Sequence, residues 1–204
     1  MAERGRPRSF DRQTALLRAM ELFWAKGFED SSMTDLTQAM GIGSPSLYAA
    51  FGSKEALFRE AVELYQATVG LRIWQSLDDE TTIAGAIERF LLATAEAYST
   101  PGEPPGCLIV LGASLSGRGD AVVCETLRTR RADNVARLDQ RFARAVADGE
   151  LPSDFDHGAA AAFYAALQHG MSIMARDGAD AATLQAIART GIRSLYALRT
   201  ADAA

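Results

Sequence analysis

The sequence predicts an all-α protein of about nine helices, and three observations lead to this fold class. Apolar residues recur at spacings of three and four through most of the 204 residues, as they do along one face of a helix. Ser, Thr or Asp precedes most of these segments, and Gly or Pro often follows them, which is typical of helix starts and stops. No segment shows the alternation of apolar and polar residues that marks a half-buried strand.

The first helix is expected to begin after Asp11, a residue type that caps helices well, and to end at Lys26-Gly27. A second helix is expected from Ser32 to Met40. In it Asp35 stands three residues after the capping serine, as in a capping box. Gly41-Ile42-Gly43 then forms a turn, so the segment predicts two helices joined by a short connection.

The third helix is short, and its two faces differ. Ser44 is expected to cap it, with Pro45 at the first helical position, where the missing N–H of proline costs nothing. Leu47, Ala50 and Phe51 fall on one side at helical spacing, which leaves a small, polar face opposite. Such a face suits the major groove of DNA better than a protein core.

The run from Phe10 to Phe58 resembles the N-terminal domain of TetR-family transcriptional repressors. The resemblance rests on FDRQTALLRAMELFWAKGF before the turn motif and SLYAAFGSKEALF after it. It implies a homodimer that binds palindromic operator DNA and is released by a small-molecule inducer held in a helical C-terminal domain. Residues 1–53 would form the DNA-binding domain, and residues 54–204 the ligand-binding and dimerisation domain.

The resemblance also assigns roles to individual side chains. Phosphate contacts are expected from Ser32, Thr34, Tyr48 and Lys54, and base contacts from the front of the third helix. The predicted DNA-binding residues are Arg4, Arg6, Ser32, Thr34, Ser44, Pro45, Ser46, Tyr48, Ala49 and Lys54.

Charge is distributed unevenly along the chain. The net charge is −5, yet residues 1–60 hold eight basic and eight acidic residues, so the acidity lies in residues 61–204. Arg4, Arg6 and Arg8 form a basic arm whose spacing suits a narrow, A·T-rich minor groove. The alternative is a basic tail without such a role.

The remaining helices are expected from Lys54 to about Leu77, Thr82 to Tyr98, Cys107 to Ser116, Asp120 to Asp148, Asp156 to Arg176 and Asp180 to Leu198. The helix that starts at Asp156 is small and apolar on nearly every side, which lets another helix approach closely. Either a second subunit or the chain's own core could cover it. The residues expected at a dimer interface are Ala166, Gly170, Leu184, Ile187, Gly191 and Leu195.

An inducer cavity is expected between the fourth and eighth helices. Its candidate lining residues are Trp74, Phe90, Tyr98, Cys107, Phe142, Tyr164 and His169, although each aromatic could simply be core. Cys107 opens a helix after a Pro/Gly loop, a position that lowers the pKa of a thiol. We therefore consider three alternatives: a bound inducer, thiol modification at Cys107, or a regulator with no inducer.

Other functional classes lack their signatures. No phosphate loop, dinucleotide fingerprint, H-E-x-x-H or nucleophile elbow is present, so we expect no enzyme and no cofactor. His157 and His169 are too far apart in sequence for a helical pair of metal ligands, so no metal is expected. Two cysteines imply no disulfide framework, and the apolar runs are too short to span a membrane. These features predict a cytoplasmic protein without a membrane partner.

Overall fold

The computed structural model describes residues 10–113 and 119–201, without the side chains of residues 198–201. Within these ranges the chain is helical and contains no strand, which confirms the predicted fold class. Its helices are α1 (Arg12–Lys26), α2 (Met33–Met40), α3 (Ser44–Phe51), α4 (Lys54–Tyr65), α5 (Leu71–Trp74), α6 (Ser76–Asp79), α7 (Ile83–Tyr98), α8 (Leu108–Leu111), α9 (Ala121–Ala147), α10 (His157–Arg176) and α11 (Ala181–Ala201).

The capping residues account for the starts of α1 and α2. The carboxylate of Asp11 accepts a hydrogen bond from the Gln13 N–H at 3.0 Å, and Gly27 ends α1 with a φ of 81°. Ser32 and Asp35 form both bonds of the predicted capping box. Each bond satisfies an N–H group that the first turn of a helix leaves unpaired. The predicted bounds of α1 and α2 are therefore confirmed.

Helix α3 begins one residue earlier than predicted. Gly43 occupies the cap position, Ser44 is the first helical residue, and no side chain bonds to the first turn. The prediction that Ser44 caps α3 is wrong, because Ser44 is itself helical. Proline in the first turn has no N–H that would need a capping partner, and its fixed φ suits a helix. The Ser44 hydroxyl is left exposed on the helix surface.

The long helix predicted from Lys54 to about Leu77 is interrupted. Helix α4 ends at Tyr65, a π-helical turn follows over Gln66–Gly70, and two single-turn helices, α5 and α6, complete the segment. The Thr68 hydroxyl donates to the Leu64 carbonyl at 2.7 Å within this region, a bond that commonly accompanies a bend. Single π-helical turns in otherwise regular helices are often found at functional sites.

The C-terminal body consists of α7, α9, α10 and α11 around a shared core. Helix α11 packs along α7, and α10 packs along α9. The helix predicted from Cys107 to Ser116 is shorter in the structure: α8 spans one turn, because Gly112 packs against Leu108 and ends it. Residues 114–118 lie outside the described part. None of the described helices is long and apolar enough to cross a membrane.

Helix α1 connects the N-terminal helices to the body. It packs on α4 and α2 and also contacts α8, while α3 packs on α2 and α4. Three buried aromatic rings, Phe23, Phe28 and Phe58, pack together in this region with centroid separations of 5.0 to 6.1 Å. One continuous hydrophobic core therefore runs from α1 into the body.

Candidate nucleic-acid interface and interior cavity

The outer face of α3 is free of contacts within the chain. Leu47 and Phe51 are buried on the side of α3 that packs on α2 and α4, whereas Pro45, Tyr48 and Ala49 are exposed. Half of the Tyr48 surface is accessible. The structure thus separates the two faces of this helix as the sequence predicted, and the small outer face can approach a groove closely.

The other described residues predicted to contact DNA are at least partly accessible. Ser32, Thr34 and Ser44 are exposed, and Ser46 is half-buried. The Ser32 hydroxyl takes part in the capping box of α2, where it bonds to the Asp35 N–H at 3.0 Å. Arg4 and Arg6 lie outside the described residues.

Lys54 differs from the prediction, because its ammonium group is engaged within the protein. Nζ donates to the Phe28 carbonyl at 2.6 Å and lies 4.2 Å from the centroid of the Phe28 ring. Burial lowers the pKa of Lys54. An ammonium group has three donors, so one bond to Phe28 still leaves the group able to meet a phosphate. Its first role in the structure is to fix the loop between α1 and α2.

We expect Lys54→Ala to have two separable effects. Loss of the charged bond to Phe28 should lower the free energy of unfolding by about 1–2 kcal/mol. If Lys54 also meets a phosphate, the slope of log affinity against log salt should fall by about one unit on any DNA sequence. Denaturant unfolding measures the first effect and salt titrations the second. Lower stability with an unchanged slope would restrict Lys54 to its structural role.

A partly enclosed cavity of about 110 Å³ lies beside the π-helical turn. Three of the residues predicted to bind an inducer line it: Trp74, Tyr98 and Cys107. Its full lining is Tyr65, Gln66, Gly70, Leu71, Ile73, Trp74, Tyr98, Cys107, Ile109, Asn134, Arg137 and Gln168. A larger hollow between α4 and α9 is open to solvent and is lined mainly by charged and small polar side chains.

The other predicted inducer contacts lie elsewhere in the body. Phe90 packs behind Trp74, with the two ring centroids 5.0 Å apart, and does not line the cavity. Phe142 and Tyr164 stack on each other at 5.6 Å between α9 and α10. His169 is half-buried, and burial followed by the nearby Arg131 lowers its pKa. These four side chains belong to the core or its margin, and the aromatic spacing alone did not distinguish them from cavity residues.

Two features of the cavity were not predicted from the sequence. Tyr65 was not among the predicted cavity residues. Its hydroxyl and that of Tyr98 have no hydrogen-bond partner of good geometry among the described residues, and the group that acts on both is the Cys107 thiol, a weak acceptor. Burial, and then the adjacent Cys107, raise the pKa of both tyrosines well above the usual value. Both phenols therefore stay protonated, and each can donate a hydrogen bond into the cavity. Among the described residues, no three His, Cys, Asp or Glu side chains gather as a metal site.

The N-terminal and C-terminal parts each match a family model. Residues 15–61 match the bacterial regulatory proteins of the tetR family, and residues 86–190 match the tetracyclin repressor-like C-terminal domain. The chain is also 35% identical over 191 residues to the HTH-type transcriptional repressor ComR of Escherichia coli K12, covering 93% of this chain and 91% of that protein. The chain belongs to the TetR family. It is therefore a DNA-binding transcriptional regulator, as the sequence resemblance predicted.

Solved structures of TetR-family proteins are similar over the whole fold. A cysteine-substituted form of the regulator CifR, in complex with a 26-bp operator DNA, has a TM-score of 0.87 and 38% identity, covering 93% of this chain and 98% of that one. The HTH-type repressor BdcR of Escherichia coli K12 is 32% identical over 178 residues, covering 85% of this chain and 83% of that protein. The likeness to reduced NemR of E. coli, at 20% identity and a TM-score of 0.75 over 88% and 94% of the two chains, concerns the fold.

The residues of the two C-terminal helices that were expected at a dimer interface differ in their burial within this TetR-family chain. Leu184, Gly191 and Leu195 are buried within the chain, where α11 packs on α7. Ile187 and Gly170 are half-buried, and Ala166 of α10 is exposed; a Cβ at Gly170 would meet no atom within 4 Å. Leu184 and Leu195 thus fill the core of their own subunit through the contact with α7, and their place at a dimer interface stays a prediction.

An apolar stripe runs along the outer face of α10. Its members recur at spacings of three and four, and Phe163 and Ile173 are each nearly half exposed. We call this surface the α10 stripe, and it consists of Ala159, Phe163, Ala166, Gly170 and Ile173. Large side chains near the ends and small ones between them would allow close approach of another helix.

Proposed function

We propose that this protein is a homodimeric repressor that binds a palindromic operator and is released by a small molecule in the interior cavity. The observation that carries the proposal is the exposed outer face of α3, in a chain similar across its length to repressors. The operator-bound CifR structure supports the same mode of DNA contact. Such a protein acts in the cytoplasm, where bacterial DNA is found.

Dimerisation is supported by the α10 stripe. A contiguous exposed apolar strip on a helix commonly marks a contact with another protein. A second copy of the chain would place two α3 helices on one operator, which a single short helix with small side chains would hold weakly. The exposed Met174 and Tyr196 would extend the contact beyond the stripe.

Release requires that the cavity be linked to the DNA-binding helices, and α1 provides this link. The indole of Trp24 on α1 packs edge-on against the Tyr65 ring, with centroids 5.0 Å apart. Its N–H donates to the Gly106 carbonyl at 2.9 Å, directly before Cys107. A ligand that displaces Tyr65 or Cys107 would therefore shift α1, and with it α2 and α3.

A second connection runs from α10 to the same end of α1. The guanidinium of Arg176 donates to the carbonyls of Trp24 at 2.7 Å, Ala25 at 2.8 Å and Pro105 at 3.3 Å. These bonds satisfy carbonyls that the last turn of α1 leaves unpaired. We call the contact between Arg176, the end of α1 and Pro105 the junction. A ligand that favours a different arrangement of the junction would shift the population away from the DNA-binding state.

The test is selection of bound DNA from a random pool, followed by mapping of the selected sequence onto the source genome. We expect an inverted repeat with half-sites about one helical turn apart, or a multiple of that distance. Ala49→Glu should abolish selection without loss of stability, because it places a carboxylate against the groove. Enrichment of no common sequence would contradict the proposal.

The basic arm should contribute to specificity through the shape of the DNA. Deleting residues 1–8 should weaken the preference for A·T-rich flanks, since Arg4 and Arg6 would no longer enter the minor groove. The selection experiment with full-length and shortened proteins measures this preference. Equal flank preference and equal affinity would exclude the arm from DNA recognition.

A further inference from the structure

The two unpartnered tyrosine hydroxyls are the unusual feature of the cavity. Tyr65 and Tyr98 each expose about 1% of their surface, and both line the same partly enclosed space. A buried hydroxyl without a partner destabilises a protein, so nearly all such groups are paired. Two in one cavity, next to a π-helical turn, point to a ligand atom that accepts from both.

Cys107 provides a nucleophile beside these two donors. Its side chain is buried, lines the cavity and interacts electrostatically with both hydroxyls. Its backbone N–H donates to the Ser172 hydroxyl at 2.8 Å, which fixes the residue against α10. Arg131 donates to the Ile109 carbonyl at 2.9 Å, which holds a second residue of the cavity lining in place.

The size of the cavity limits what can bind. A volume of about 110 Å³ corresponds to roughly four water molecules of about 30 Å³ each. A ligand of about four non-hydrogen atoms would fill this space. An oxygen of such a ligand would accept two hydrogen bonds, and its other atoms would contact the apolar sides of Ile73 and Trp74.

We propose that the cavity binds a short-chain aliphatic aldehyde, whose oxygen accepts from Tyr65 and Tyr98 while its carbonyl carbon adds reversibly to Cys107. This inference rests on the proposed function, because it names the effector class for the site through which that function is controlled.

The addition needs no further reactant. The sulfur of Cys107 forms a bond to the carbonyl carbon, and the π pair of the C=O bond moves to oxygen. The thiol proton passes to that oxygen, directly or through a tyrosine hydroxyl, to give a thiohemiacetal. Two hydrogen bonds stabilise the negative charge that develops on oxygen during the addition, as donors in an oxyanion hole do. Loss of the aldehyde reverses every step.

The adduct would act on the junction with α1. It converts a flat sp² carbon into a tetrahedral one attached to Cys107, next to the Gly106 carbonyl that Trp24 contacts. It also holds the Tyr65 hydroxyl, whose ring packs on Trp24. Both contacts reach α1, so we expect the aldehyde to release operator DNA.

Propanal labelled with carbon-13 at the carbonyl carbon tests the inference directly. We expect its NMR signal to move from the carbonyl region to that of a carbon bonded to oxygen and sulfur. Cys107→Ser should remove this signal, and Cys124→Ser should keep it, because Cys124 does not line the cavity. Propan-1-ol of similar size should give no adduct. An adduct that persists in Cys107→Ser would indicate reaction with Lys26 or Lys54 and would overturn the inference.

The tyrosines require a test that separates binding from structure. Tyr98→Phe removes an unsatisfied buried hydroxyl, so the free protein should melt roughly 2–4 °C higher. The same variant should bind propanal at least tenfold more weakly, because one hydrogen bond to the carbonyl oxygen is lost. Tyr65→Phe should behave in the same way. Unchanged propanal affinity in both variants would contradict a role for the hydroxyls.

The outcomes also distinguish this inference from the proposed function. Specific operator binding without any propanal adduct would overturn the aldehyde site and leave the repressor intact. An adduct on Cys107 in a protein that selects no DNA would support the site and contradict the repressor. Operator release that follows adduct formation in the wild type, and is absent from Cys107→Ser, supports both.

Discussion

Ala166→Arg yields a folded monomer that no longer binds the operator. Ala166 is exposed in the middle of the α10 stripe, so an arginine there fits the isolated chain but not a close contact between two α10 helices. Burial of an unpaired charge at such a contact is strongly unfavourable. Because each monomer then contributes one α3 helix, we expect affinity for the palindrome to fall at least ~100-fold.

Sedimentation gives the oligomeric state, and fluorescence anisotropy with the selected operator gives the affinity. Ala136→Arg is the matched control, since Ala136 is also exposed on a helix but lies on α9. That control should remain dimeric and bind DNA. If Ala166→Arg remains dimeric at the concentration where the control does, the α10 stripe is not the interface.

Gly191→Glu has an effect of a different kind, because it destabilises the chain itself. A Cβ at this position would lie 2.4 Å from Leu167 Cδ2 and 2.9 Å from Leu91 Cδ1, where α11 packs between α10 and α7. Even alanine therefore displaces both leucines, and glutamate adds a charge with no partner in an apolar contact. We expect a loss of roughly 3–5 kcal/mol in the free energy of unfolding.

Denaturant unfolding of a graded series measures this loss. Gly191→Ala should cost less than Gly191→Glu, because only the steric displacement remains. Ala166→Arg should retain most of the wild-type stability, although both substitutions introduce a charge into a C-terminal helix. A fully stable, monomeric Gly191→Glu would instead place this residue between subunits.

The local structure of the N-terminal region could be predicted because it is encoded by short-range signals. Asp11, Ser32 and Gly27 each satisfy or terminate a specific helix end, so the bounds of α1 and α2 follow from the residues themselves. The interruption after Tyr65 could not be predicted in this way. The apolar spacing continues through Thr68, so periodicity alone gives no reason to end the helix at Tyr65.

The faces of the C-terminal helices required the structure. Helix α10 carries small apolar residues on nearly every side, so its sequence does not say which side meets α9 and which is exposed. On α11, the stripe of Leu184, Gly191 and Leu195 was identified correctly as a contact surface, but its partner is α7. Periodicity indicates that a face is buried, whereas the identity of its partner is a long-range property.

At the cavity, too, the sequence identified some of the lining residues and not others. Cys107 was singled out by the preceding Pro/Gly loop, and Trp74 and Tyr98 by their size. Tyr65 lies at the helical spacing of ordinary core residues, so the sequence does not single it out as a cavity residue. In the structure it differs from them because its hydroxyl lacks a hydrogen-bond partner among the described residues. The contact between Trp24 and Gly106, 82 residues apart, has no sequence signal at all.

The junction held by Arg176 limits how this protein could be rebuilt by exchanging parts. In a chimera that replaced only residues 1–53, the α1 of another regulator would pack on the α4 of this chain, with which it does not share a matched surface. The Trp24 indole that contacts Gly106 would also be replaced. Arg176 would still cap the foreign α1, because it binds only backbone carbonyls. A transferable unit therefore extends through α4 to Tyr65 and retains tryptophan at position 24. Biosensors assembled from different regulators should respond to their ligands only when this junction is carried over intact.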